Sequence, residues 1–390
     1  VYYSAQHGDA RRYDKKADTA TNIKPELPKV IKDTLTFNYI TPYFVSNYDS
    51  KTLYHGGNYI FKSNDRGDSW KVISPNLARS SNADKKSFSM GALAESLIEK
   101  ELLYAGTDHG ALWVTHNEGE SWTEIDNGIA DNYIRSICPS RFSKSRVYLA
   151  MTGINYDDLH SYVYVSEDYG NNWISITRGL PDEPVNVILE DPTYENILYA
   201  GSIRGVYIST DRGRTWSYLG KHMPGTAIAD LEIHTPTREL IAATHGRGIY
   251  KLNLEPIYTL LANNLSINQD HLFELKPITL PWFHSVSGVA DYRTVEKTSI
   301  SFWMHETKPV KITIKDKTGK ELWKVDMTGQ QGFNEYRWDL ITKRQDSLLP
   351  YFTEYETYIR PGDYTLVWSD GRSELKRDIR VQTRERPHKE

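Results

Sequence analysis

Five of the chain's 12 histidines, His7, His55, His109, His160 and His245, fall in short polar breaks between apolar runs. Asp9, Asp108, Asp157, Asp158, Tyr156, Arg204 and Arg247 share those breaks. A ring of imidazole, carboxylate and guanidinium groups around one opening would bind an anionic or polyhydroxylated ligand, or a metal. Asp108 with Asp157 or Asp158 is a candidate catalytic pair, since glycoside hydrolysis needs two carboxyls about 5–10 Å apart. The competing reading is structural, because turns are polar and glycine-rich wherever they occur. No two ligands stand at a recognised metal-binding spacing, so neither a metal nor a cofactor is expected. No nucleophile elbow of a serine hydrolase and no phosphate-binding loop is present.

These breaks belong to a repeat. Leu53-Tyr54-His55-Gly56 precedes Tyr59-Ile60-Phe61, and Leu103-Tyr104-Ala105-Gly106 precedes Leu112-Trp113-Val114. Val147-Tyr148-Leu149-Ala150 precedes Tyr162-Val163-Tyr164, and Leu198-Tyr199-Ala200-Gly201 precedes Val206-Tyr207-Ile208. Such runs of β-branched and aromatic residues, broken at glycine, read as strand–turn–strand. A further strand is expected upstream of each pair, as at 133–138 and 185–190.

A second pattern follows each pair. Ser63-Asn64-Asp65-Arg66-Gly67-Asp68-Ser69-Trp70 is the first copy. The others run from Thr115 through Asn117 to Trp122, from Ser166 through Asp168 to Trp173, and from Ser209 through Asp211 to Trp216. The tryptophans are 52, 51 and 43 residues apart, a period that signals a radially repeated fold. The acid or amide is read as holding its own loop, the glycine as permitting the turn, and the tryptophan as opening the next strand and entering the core. The acids of this pattern are therefore assigned to structure. Four strands per repeat make one propeller blade. The His, Asp and Arg turns are expected on one rim and the acid-bearing turns on the other.

These residues resemble the Asp-box, or BNR, repeat. Two more units lack the box: residues 1–14 and Leu240 to Tyr250, which ends Ala243-Thr244-His245-Gly246-Arg247-Gly248. The chain opens inside a blade, and an open sheet edge invites aggregation. It is expected to supply the C-terminal blades of a larger ring, the alternative being a closed ring of six irregular blades.

Composition suits a large β protein. The 47 basic and 51 acidic side chains give a net charge of −4, so no nucleic-acid partner is implied. No apolar run reaches membrane-spanning length. Cys138, the single cysteine, precludes an internal disulfide and reads as a small core residue.

Residues 1–252 are thus assigned to an all-β propeller, 253–297 to a connector, 298–384 to a β-sandwich and 385–390 to a tail. Glu255-Pro256 suggests a short helix through Ala262, and His271 to Leu275 a strand. Residues 341–359 are expected to form a long loop. The turn Asp316-Lys317-Thr318-Gly319, the triplet Trp338-Asp339-Leu340 and the run Pro361-Gly362-Asp363-Tyr364-Thr365 resemble the immunoglobulin-like module related to the FlgD C-terminal domain.

The whole chain resembles secreted sortilin-like and BNR-repeat glycosyl-hydrolase-like proteins of Bacteroidetes-type bacteria. The resemblance implies a secreted, periplasmic or cell-surface protein. Fold and activity separate readily, so it does not fix a reaction. The expectation is a binding or scaffold module that takes a glycan, peptide or protein through its rim. The alternatives are a xyloglucanase- or sialidase-like glycoside hydrolase at the same rim, and a subunit of a larger envelope complex. In the last case an N-terminal propeller segment or another envelope protein would cover the first sheet.

Overall fold

A computed structural model describes the chain except for residues 79–87, 221–222, 264–265, 281–296, 347–353 and 384–390. The expected tail and part of the expected connector lie outside the described residues. The chain divides into two compact units: Val1–Ser217 with Pro224–Asn253, and Tyr218–Met223 with the residues from Leu254 onward.

The first unit is built from six antiparallel sheets in chain order. The second sheet comprises Tyr43–Val45, Leu53–Gly56, Ile60–Ser63 and Lys71–Val72. The third comprises Met90–Glu95, Leu103–Thr107, Leu112–Thr115 and Thr123–Glu124. The fourth holds Tyr133–Pro139, Val147–Gly153, Asp158–Ser166 and Ile174–Ser175. The fifth holds Val185–Glu190, Leu198–Ser202, Val206–Ser209 and Ser217–Tyr218. The first sheet (Tyr2–Ser4, Ala10–Asp14, Thr19–Asn22) and the sixth (Ile228–His234, Glu239–Thr244, Ile249–Asn253) have three strands each. These are propeller blades, each a meander whose neighbours in sequence are neighbours in the sheet.

The core lies between blades. One apolar layer joins Tyr104, Leu112 and Val114 of the third sheet to Ile134, Leu149 and Met151 of the fourth. The next joins Tyr148 and Val163 of the fourth to Ile188, Leu198 and Trp216 of the fifth. Second strands are buried on both faces, which is why they read as unbroken apolar runs. Their terminal glycines let the next blade approach. A Cβ on Gly106 would stand 2.3 Å from Cγ2 of Ile134, and one on Gly201 would stand 2.7 Å from Cγ2 of Ile228.

The acid-bearing turns form a second set of inter-blade locks. In the first, Ser63 Oγ accepts the N–H of Gly67 at 2.8 Å, and Asp65 Oδ1 accepts the N–H of Ser69 at 2.9 Å. Asn117 accepts the N–H of Ser121 at 2.9 Å in the same way, so amide and carboxylate are interchangeable there. Each turn glycine sits in the left-handed region and packs on an isoleucine of the preceding blade. Trp122, Trp173 and Trp216 join the apolar layers, as expected, and all four tryptophans reach across the blade boundary. Trp70 donates its indole N–H to Ile23 O, Trp122 to Ile73 O, Trp173 to Ile125 O and Trp216 to Ile176 O, at 2.6–2.9 Å.

The second unit is a β-sandwich. A five-stranded sheet carries, in order, Ile278–Leu280, Glu374–Thr383, Gly362–Ser369, Lys308–Lys315 and Glu321–Gly329. A three-stranded sheet carries His271–Leu272, Thr298–Met304 and Gly332–Trp338. Phe302, Ile312, Trp338, Leu366 and Trp368 meet in its core. The sandwich thus starts earlier than residue 298, because two short strands of the expected connector pair into its sheets. The segment Tyr218–Met223 joins this unit, where Leu219 O accepts the N–H of Phe333 at 2.8 Å. The helix spans Glu255–Ala262, with proline in its first turn where no intrahelical donor is needed. The expected loop 341–359 is instead a hairpin of Ile341–Asp346 and Glu354–Tyr358. Thr342, Tyr355, Thr357 and Tyr358 are strand-forming types, and they outweigh the segment's polarity.

Candidate functional site

The turns expected at one rim are tied to the links between blades. Asp108 follows the strand Leu103–Thr107, and its backbone N–H donates to Ser89 O at 3.0 Å. Its carboxylate accepts from Ser89 N (3.1 Å), Ser89 Oγ (3.2 Å) and Asn38 Nδ2 (3.1 Å). Asp158 opens the strand Asp158–Ser166 and accepts from Asn132 Nδ2 (2.9 Å), Tyr162 O–H (2.7 Å) and His160 N (3.1 Å). Those bonds hold its carboxyl below the ordinary range. Both acids therefore anchor the rim through their hydrogen bonds, and the lowered pKa of Asp158 is the opposite of what a general acid needs.

Asp157 takes the left-handed conformation (φ 58°) at the end of a single 3-10 turn, Ile154–Tyr156, which lifts the preceding side chains away from the sheet. Ile154, Tyr156 and Leu159 are 45–55% exposed along this turn. Partial desolvation, with the carboxylates of Asp108 and Asp131, raises the Tyr156 phenol. Asp131 abuts Gly110, whose backbone (φ 101°) leaves room for the carboxylate. Among the described residues, neither Asp131 nor Asp157 has a side-chain hydrogen-bond partner. The link residues Asp131 and Asn132 thus meet the Gly110 turn of the third blade and Asp158 of the fourth.

His160 extends this group toward the fifth blade. Its Nδ1 lies 2.7 Å from Asp182 Oδ2, and this contact raises the imidazole pKa. Arg204 leans on Glu183 at 3.4 Å with its side chain 77% exposed. His245 and Arg247 stand exposed on the sixth blade, where the N–H of His245 donates to Ala227 O at 2.8 Å. His7 is exposed, and its ring meets Tyr39 edge-on at 5.5 Å. His109 stacks on Phe88 at 4.2 Å.

His55 departs most from expectation. It lies inside the strand Leu53–Gly56 rather than in a turn, and is 1% exposed. Phe37, Tyr43 and Trp70 surround it. Burial pushes its pKa down to about 4, so it is a neutral interior side chain with no access to ligand. Cys138 is a half-buried thiol at the edge of a core layer, and desolvation pushes its pKa up to about 12. Among the described residues no three His, Cys, Asp or Glu side chains converge at metal-binding distance.

Sequence reasoning missed Asn38, Asp131, Asn132, Tyr133 and Arg135. Tyr133 O–H donates to Asn38 Oδ1 at 3.1 Å, and Arg135 Nη1 donates to Tyr133 O–H at 3.3 Å. With the Asn38–Asp108 bond, this makes a continuous polar chain from the rim down to an inner strand. The available signal was an arginine within the mainly apolar run Tyr133 to Cys138.

Comparison with known proteins agrees with this fold. Residues 110–223 match a family profile described as Sortilin-Vps10, sortilin, neurotensin receptor 3. A xyloglucanase from Paenibacillus sp. is 30% identical over 149 residues, covering 34% of this chain and 14% of that protein. A xyloglucanase from Hypocrea jecorina is 31% identical over 149 residues, covering 34% of this chain and 18% of that protein. The chain thus matches less than a fifth of the length of either enzyme. Among solved structures, the GH74 xyloglucanase from Xanthomonas campestris aligns with a TM-score of 0.50 at 15% identity. That alignment covers 72% of this chain and 48% of the other, and shows a shared propeller fold.

Proposed function

We propose that the chain is a carbohydrate-recognising propeller segment of a secreted, xyloglucanase-like protein, and that the rim between its third and fourth blades contacts the polysaccharide. The observation that carries this reading is the turn holding Tyr156. Tyr156 is 53% exposed, and partial desolvation with the carboxylates of Asp108 and Asp131 raises its phenol. A sugar ring offers an apolar face and an edge of hydroxyls. An exposed aromatic ring on a turn that also carries carboxylates matches both surfaces. The identity with two xyloglucanases directs the choice of ligand to xyloglucan-type β-glucans.

Isothermal titration of the chain with a xyloglucan oligosaccharide tests this reading. Saturable binding that weakens in Tyr156→Ala supports it. Absence of binding to xyloglucan and to cello-oligosaccharides rejects it.

A second reading is hydrolysis at this rim, which the two enzyme relatives favour. Asp108 and Asp158 are poor candidates for its chemistry because their oxygens are already engaged. Asp131 and Asp157, whose carboxylates have no hydrogen-bond partner among the described residues, are the better candidates. Release of reducing ends from xyloglucan, abolished in Asp131→Asn or Asp157→Asn, would establish it.

A further inference from the structure

The first strands of the third to sixth blades each carry a β-bulge at an equivalent place. The register shifts between Met90 and Ala92, Ile134 and Ser136, Val185 and Val187, and Ile228 and Asp230. The extra residues are Gly91, Arg135, Asn186 and Ala229. A bulge re-aims side chains and tightens the local twist. These first strands pack against one another in series, third blade to sixth. The bulges therefore lie along one inner wall of the unit.

That wall carries polar groups whose bonding capacity is largely unspent. Among the described residues, the Arg135 guanidinium makes one hydrogen bond, to Tyr133 O–H, and lies over that ring at 5.2 Å. Its other N–H groups have no acceptor among the described residues. Asn186 donates through Nδ2 to Ile228 O at 2.9 Å, which leaves its amide oxygen available. Among the described residues, Asp230 accepts one bond, from Leu231 N to Oδ1 at 2.9 Å, and its Oδ2 accepts none. Glu232 lies two residues along the same strand, and both carboxylates are water-accessible. Surrounding protein nonetheless raises both carboxyls, and Arg135 offsets part of the rise at Asp230.

The charge pattern selects the ligand. An anion would meet Asp230 and Glu232, and a cation would meet Arg135. A neutral polyol satisfies both, because each hydroxyl donates to a carboxylate and accepts from a guanidinium. We infer that Arg135, Asn186 and Asp230 form a saccharide subsite on the inner wall, joined to the Tyr156 rim by the chain Arg135–Tyr133–Asn38–Asp108. This rests on the carbohydrate-binding reading and extends it to residues away from the rim turns.

The test is titration of the full chain with a neutral xyloglucan oligosaccharide and, separately, with an anionic oligogalacturonide. Arg135→Gln, Asp230→Asn and Tyr156→Ala are compared with wild type, with near-UV circular dichroism as the check on folding. The inference expects a loss of about tenfold or more in each inner-wall variant, the scale of a lost charged hydrogen bond. Asp230→Asn, at an accessible position, keeps the test valid if Arg135→Gln fails to fold. If Tyr156→Ala weakens binding while Asp230→Asn and a folded Arg135→Gln do not, the inner subsite is rejected and the rim reading survives. Tighter binding of the anionic oligosaccharide also rejects the subsite. If wild type binds no neutral saccharide, both ideas fall together.

Discussion

The indole N–H of Trp122 donates to the carbonyl oxygen of Ile73 at 2.8 Å across the boundary between two blades. The adjoining glycine of the same turn, Gly119, would place a Cβ only 2.4 Å from that oxygen. One short turn thus fixes its own loop and clamps the preceding blade. Trp122→Phe keeps the ring but leaves the Ile73 carbonyl without this donor. It should cost about 1–2 kcal/mol, seen as a lower urea midpoint with unchanged far-UV circular dichroism.

The carboxylates of these turns carry an acid dependence that the amide turn lacks. Bonds from Ser69 and Ser63 hold Asp65 at about 2, below its ordinary 3.8. A depressed carboxyl adds stability above the unfolded pKa, and that stability is lost as pH falls through the folded value. Asp65→Asn, copying the natural Asn117 turn, should flatten the stability profile between about pH 4 and about pH 2. A profile as steep as wild type would assign acid sensitivity elsewhere.

His55 has the same acid-labile sense by another route. Its folded pKa of about 4 lies below the ordinary 6.5 because burial disfavours the charged ring. The unfolded state therefore binds the proton first, and stability is lost as pH falls from about 6.5 to about 4. The limit is on the order of 3 kcal/mol. In His55→Phe this part of the pH dependence should vanish from urea midpoints measured across that window.

Lys308 joins the β-sandwich through Asp270 Oδ2 at 2.8 Å and Asp370 Oδ2 at 2.9 Å. Its own side chain is 20% exposed and those of the acids 10% and 8%. Removing the cation strands two nearly buried carboxylates. Lys308→Met should destabilise this unit by roughly 2–4 kcal/mol, less than a fully buried pair would lose. Differential scanning calorimetry would show a lowered transition for the sandwich.

Much of the fold was legible because its rules are local. Ser63, Asp65, Gly67 and Trp70 repeat their types at fixed offsets, and each offset meets a bonding need within eight residues. The strand Leu103–Thr107 reads as buried because both its faces are apolar. What was not legible depends on neighbouring blades. The acceptor of each indole lies 40–49 residues away in sequence. His55 has the composition of a rim residue, yet Phe37, Tyr43 and Trp70 enclose it. Asp108 and Asp158 have the look of catalytic acids, but partners from distant links, Asn38, Ser89 and Asn132, consume their oxygens. Asp131 lay in a link segment that no motif singled out, and its relation to Gly110 arises only from the approach of two blades.

The most direct test is isothermal titration of wild type and Tyr156→Ala with a xyloglucan oligosaccharide. The account predicts saturable binding by wild type and a loss of about threefold to tenfold on removing the exposed ring, with folding intact. Equal binding by both proteins, or none by wild type, would contradict it.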